Sequence, residues 1–210
     1  MFKNLVTAIA FVMFVLLAAL PVRAEDTPDV LVRNVTTDVL NIIKTDKELQ
    51  SGNMRKVFEL VDAKILPHFN FTRMTALAVG QKWREATPEQ KTRLAAEFKT
   101  LLVRTYANAL TSYKNQAIDY KPLRMSPTDT DVTVKTEVKQ AGGQPIQLDY
   151  SLQKKDGSWK VYDVVVAGVS LVTNYRDSFG QEIRAGGIDG LIASLASKNQ
   201  QAAAGSGKKS

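Results

Sequence analysis

The stretch from Ser158 to Gly180, S-W-K-V-Y-D-V-V-V-A-G-V-S-L-V-T-N-Y-R-D-S-F-G, limits the possible folds more than any other part of the chain. Trp159, Val161, Tyr162, Val164, Val165 and Val166 are aromatic or β-branched, types that suit a pleated and partly buried surface, and they predict a strand. The strand does not alternate cleanly. Apolar residues fall on both faces towards its end, which predicts protein or ligand on both sides. Gly168 is expected to break the strand, and Ser170 to cap a short helical segment carrying Leu171, Val172 and Tyr175. A strand apolar on both faces that runs into an apolar helix suits the wall of a cavity.

The preceding residues supply the rest of a sheet and its cover. Val132, Val134 and Val138 alternate with polar residues in one strand, and Ile146, Leu148, Tyr150 and Leu152 in the next. Ala141-Gly142-Gly143 and Lys154-Lys155-Asp156-Gly157 supply the turns, and Ile118 and Tyr120 lie in an edge strand limited by Pro122. Thr87-Pro88-Glu89-Gln90 is a capping-box start that launches the longest helix, to about Tyr113. Its apolar face, from Leu94 and Phe98 through Leu102 and Tyr106 to Leu110, is broad enough to want a sheet as partner.

Further helices are predicted from Pro28, with a stripe of Leu31, Val35, Val39, Ile42 and Ile43, and from Asn53, ending at Pro67. A brief one is capped by Thr72 and closed by Gly80, and a last one carries Ile188, Leu191, Ile192 and Leu195. The fold class is α+β: a curved antiparallel sheet of about four strands with helices covering one face.

Residues 1–24 read as a cleaved signal peptide, with Lys3, an apolar run from Leu5 to Leu20, and Val22-Arg23-Ala24 at the cleavage site. Residues 25–197 are expected to form one domain, and 198–210 a low-complexity, disordered tail. The chain has no cysteine, so neither disulfides nor thiolate chemistry contribute. The formal charge of +7 loses Lys3 and Arg23 with the leader and stays basic. Its cations are scattered, which suits a solvated surface or mild attraction to acidic membranes and gives no nucleic-acid motif.

Candidate chemistry is sparse. His68 is the one histidine and has no companions at metal-ligand spacing. Gly168-Val169-Ser170 lacks the second glycine of a nucleophile elbow. Asp163 is either an acid bonded to neighbouring backbone or a buried acid marking a site. Between a filled core and a cavity the residues alone leave the choice open.

The segments W-R-E-A-T-P-E-Q (83–90), R-T-Y-A-N-A-L (104–110) and W-K-V-Y-D-V followed by G-V-S-L-V-T-N-Y-R (159–164 and 168–176) together resemble the MlaC family of periplasmic phospholipid-binding proteins, also known as toluene-tolerance proteins. The chain departs from the family pattern at Lys82, where an aromatic is common, and at Ala167, where an acid is common. The resemblance implies a cone-shaped fold related to nuclear-transport-factor-2-like proteins, with a hydrophobic cavity between sheet and helices. It implies a monomeric carrier with bound phospholipid as cargo and no other cofactor, metal or catalytic residue. It also implies exchange with the MCE-domain subunit of an inner-membrane ABC transporter and with an outer-membrane lipoprotein associated with porin, a pathway tied to outer-membrane lipid asymmetry. On this reading Leu102 and Tyr106, Val134, Leu148, Tyr150 and Leu152, and Val164, Val166, Val169, Leu171 and Tyr175 form the nonpolar wall. Two competing expectations are a small isomerase-like enzyme of the same shape using Asp163 with a tyrosine, and an exported adaptor with a filled core.

Overall fold

The computed structural model describes residues 26–113, 116–140 and 142–206; the expected leader and the last four residues of the expected tail lie outside them. The sheet has five strands in sequential antiparallel order: β1 (Ile118–Tyr120), β2 (Asp131–Val138), β3 (Ile146–Lys155), β4 (Ser158–Val166) and β5 (Val169–Ser170). The fifth strand is the short return expected to open a helix. Ala167 and Gly168, at φ 49° and 85°, make a two-residue hairpin that pairs Val166 with Val169. Asp156 and Gly157, also left-handed, make the same kind of turn between β3 and β4.

β4 changes phase in its middle. Val161 lies opposite Leu152, but Asp163 lies opposite Ser151, so Tyr162 is an extra residue, a β-bulge. Trp159 and Val161 face inward before it, and Val164, opposite Tyr150, and Val166, opposite Leu148, after it. The broken alternation therefore marks a change of register in one inner face, which corrects the expectation of a strand covered on both faces along its end.

Helices α1 (Pro28–Thr45), α2 (Lys47–Gln50) and α3 (Met54–Leu60) form one arm of the cover. α3 continues into a π-helical turn, Val61–Ile65, and a tight turn, Leu66–His68. α4 (Phe71–Val79) is capped by Asn70, whose side chain accepts from Arg73 N, and not by Thr72 as expected. α5 (Pro88–Tyr106) has the full capping box: Gln90 N donates to Thr87 Oγ1 and Thr87 N to Gln90 Oε1. It stops seven residues short of Tyr113, and a short α6 (Asn108–Thr111) follows.

α7 (Arg176–Ser206) bends at Gly187, whose φ of 68° no other residue type adopts easily. It corrects the expected disorder from Lys198: the helix runs on to Ser206, and Asn199 is buried with its Nδ2 donating to Glu97 O and Oε2. The Gln/Ala composition that reads as low complexity is also good helix composition, and packing on α5 supplies the rest.

Three clusters make up the interior. One joins α4, α5 and α7 through Met74, Leu94, Phe98, Phe179, Leu191 and Leu195. A second joins the inner face of the sheet, Val134, Leu152, Trp159 and Val161, to Val32 of α1. A third joins α1 and α3 through Val39, Ile43, Val57 and Leu60, and reaches Ala107.

Candidate functional site

The segment His68-Phe69-Asn70-Phe71 decides how the helices meet the sheet. Phe69 is extended and bridges Val161 in parallel, and Asn70 N donates to Val161 O at 2.8 Å, which closes part of the free edge of β4. The rings of Phe69 and Phe71 stack with centroids 5.8 Å apart. Just before them, the π-helical turn holds Val61 and Ile65 out of ordinary helical phase.

These residues enclose space. A cavity of about 280 Å³ opens where the three clusters meet, taking Met74 and Leu102 from the first, Val164 from the second, and Val61 and Ala107 from the third. Phe69, Phe71, Tyr150 and Leu171 complete most of its wall. A second cavity of about 220 Å³ lies under α1, against Leu31, Val35 and Val39, with Ile118 and Val161 opposite. Ile65, Phe69, Leu110 and Tyr150 line both, so the two are neighbours separated by four side chains.

Tyr150 is the polar group most deeply set in this wall. Burial, with a smaller effect from Tyr120, pushes its phenol up to about 12, so it stays neutral through the physiological range. Tyr106 sits at the rim of the first cavity, 37% exposed, its phenol raised by partial burial and then by Tyr175. Tyr175 packs edge-on to Phe98 at 5.1 Å and lies 5.5 Å from Phe179.

Of the wall residues expected from the sequence, Leu102, Tyr106, Tyr150, Val164 and Leu171 line the first cavity. The others lie elsewhere. Val134 and Leu152 are fully packed in the sheet core. Leu148 and Val166 are half-buried cross-strand partners, Val169 is 55% exposed beyond the hairpin, and Tyr175 is in the aromatic cluster. The α1 side of the second cavity was expected as plain core, and the Phe69–Phe71 segment only as the surroundings of a histidine.

His68 lines the second cavity, and its imidazole is held below its usual range by burial and then by Lys160. Asp163 lines neither cavity. Its carboxylate accepts from Val164 N, Val172 N and the Ser170 hydroxyl, the backbone-bonded arrangement. Among the described residues no group of three or more His, Cys, Asp or Glu is placed to hold a metal ion, and no helix is long and apolar enough to cross a membrane.

Walls of Val, Leu, Phe and neutral Tyr around adjoining voids define a binding module for an apolar ligand. The comparisons agree with that class. The model of the MlaC protein family matches residues 33–197, and the chain belongs to that family. It is 31% identical to the toluene tolerance protein ttg2D of Pseudomonas putida, over 90% of this chain and 92% of that one. It is 28% identical to the intermembrane phospholipid transport system binding protein MlaC of Haemophilus influenzae, over 92% of each. Among solved structures, the phospholipid-binding protein from Ralstonia solanacearum in complex with a phospholipid superposes with a TM-score of 0.78 at 42% identity, covering 85% of this chain and 99% of that one.

Proposed function

We propose that residues 25–197, with the end of α7 packed on them, form one lipid-binding domain and that the protein is a monomeric, periplasmic phospholipid carrier, exported by cleavage of residues 1–24. It takes lipid to or from the MCE-domain subunit of an inner-membrane ABC transporter and an outer-membrane lipoprotein associated with porin, and so maintains outer-membrane lipid asymmetry. It acts by binding alone, without catalysis and without nucleic acid. The observation that carries this reading is the pair of adjoining apolar cavities at the junction of the three core clusters, in a chain whose relative was solved with a phospholipid.

The physical need is plain. Each methylene moved from water into apolar surroundings is worth about 0.8 kcal/mol, so two bare acyl tails would cost more than roughly 20 kcal/mol to carry through water. Side chains such as Leu102, Val164 and Leu171 on one side of Tyr150, and Val35 and Val39 on the other, offer the substitute surface.

Native mass spectrometry of protein purified from cells tests the proposal. A phospholipid adduct that survives purification is expected. A mass equal to the bare mature chain, with no extractable phospholipid, would sink it.

A further inference from the structure

Outside the first cavity, and sharing Leu66 and Val103 with it, lies a polar pocket of about 300 Å³ between α5 and the start of the π-helical turn. Lys99, Thr100 and Arg104 of α5 line it, with Phe58 and Asp62 opposite. Its two cations and one carboxylate leave a surplus of one positive charge. Neither Lys99 nor Arg104 has a carboxylate within salt-bridge reach among the described residues. Arg104 lies 5.7 Å from the ring of Phe58, and its Nε is shut off from solvent with no hydrogen-bond partner among the described residues.

Because Nε is closed to solvent it is closed to a ligand as well, and what Arg104 offers the pocket is its charge and the far end of the guanidinium. The plainer account, a cation placed to complement the C-terminal end of the α5 dipole, covers Arg104 in the last turn but not Lys99, five residues earlier.

We infer that Lys99 and Arg104 form a subsite for a phosphodiester group, occupied by the phosphate of a lipid whose tails lie in the adjoining cavity. The inference rests on the carrier reading and extends it to the headgroup. One diester carries one negative charge, which neutralises the surplus of the pocket. Lys99 and Arg104 supply the donors. Thr100 donates its own proton to Ala96 O, so its hydroxyl offers the ligand only an acceptor oxygen.

The polar pocket beside the second cavity differs. Asp26 and Asp38 face Lys64 there, with Lys64 already 3.8 Å from Asp38, and this end repels a phosphate. The two ends of the apolar space are therefore distinct, and the lipid has one orientation. Lys99 and Arg104 are both half-buried, so solvent screens the grip and keeps it weak enough for release at a membrane.

The test uses delipidated mature protein loaded from detergent with either dioleoyl phosphatidylglycerol or dioleoylglycerol, which share tails and differ in the phosphate. Bound lipid is read by native mass spectrometry. Lys99→Gln with Arg104→Gln should lower phosphatidylglycerol affinity about tenfold and leave dioleoylglycerol unchanged. Arg93→Gln, an exposed cation on the same helix, should change neither. Lys99→Gln alone, distant from any packing role, should give roughly a threefold loss and serves if the double variant does not fold.

Equal losses for both lipids, or no loss for either, overturn the inference while leaving the carrier reading standing. Wild-type protein that takes up neither lipid overturns both. Broadening of the phosphorus resonance of inorganic phosphate that the double substitution abolishes, with phosphatidylglycerol uptake untouched, would assign the pocket to a free anion and overturn the lipid assignment.

Discussion

The Ser170 hydroxyl donates a 2.6 Å hydrogen bond to Asp163 Oδ2, tying the two-residue last strand back to the strand it pairs with. The other oxygen of Asp163 accepts from Val164 N and Val172 N. One carboxylate thus holds the whole hairpin from Val164 to Val172, and Val164 and Leu171 of that hairpin face the first cavity. Asp163→Ala leaves two backbone donors and a hydroxyl without their acceptor and should cost about 2–3 kcal/mol, whereas Asp163→Asn keeps one acceptor oxygen and should cost about 1 kcal/mol. Urea unfolding of lipid-free protein measures both. Full stability in the alanine variant would remove the structural role assigned here to this acid.

The neutral phenol of Tyr150 gives stability a signature at high pH. The unfolded chain gives up this proton near pH 10, while the folded protein keeps it to about 12. Between those values the native state binds more protons than the unfolded state, so stability falls as pH rises from 10 towards 12. Tyr106, Tyr120 and Tyr162 are also raised and add to the slope. Tyr150→Phe should flatten part of that fall and remove the latest step of a tyrosinate absorbance titration. A wild-type titration in which every tyrosine has its midpoint near pH 10 would contradict the depth assigned to this residue.

The sequence was legible where local chemistry speaks for itself. Thr87 and Gln90 announced the α5 capping box, and period-two alternation around Val134 and Tyr150 announced two strands. The bulge at Tyr162 has no such marker, since an inserted residue shows only as broken alternation, which is also how a strand buried on both faces reads. β5 is too short for any periodicity. The site was the least legible part. Leu152 and Val164 are both apolar residues on the inner face of the sheet, yet one is sealed in core and the other looks into a void. What stands opposite a side chain decides between them, and that depends on the π-helical turn and the Phe69–Phe71 segment, far away in the chain.

Ala167 is the residue least suited to its backbone. It holds φ at 49° in the first position of a two-residue hairpin whose second position is Gly168, a geometry that favours asparagine, aspartate or glycine. Its side chain is exposed, so no packing compensates. Ala167→Asn should raise stability by about 0.5–1 kcal/mol, and Gly168→Ala should lower it by a similar amount or more. Thermal unfolding of the pair should show opposite shifts of melting temperature. Shifts of the same sign would mean that the turn geometry is not what limits this hairpin.

Leu110 is the most informative position for the cavities themselves, because its side chain is half-buried and lines both of them. Leu110→Trp adds volume where the two voids adjoin. In a packed core that insertion would cost about 1–3 kcal/mol through strain. Where space exists, the indole replaces void with contacts, and lipid-free protein should keep or slightly raise its melting temperature. The same substitution should reduce acyl-chain uptake by at least about tenfold, since the displaced hydrocarbon loses contacts worth more than about 1.4 kcal/mol. A co-purified lipid assay on the protein as isolated and a melting curve on the delipidated protein separate the cases. Loss of lipid with an intact fold supports a shared apolar space; loss of stability with lipid retained would mean that Leu110 is core and that the ligand lies elsewhere.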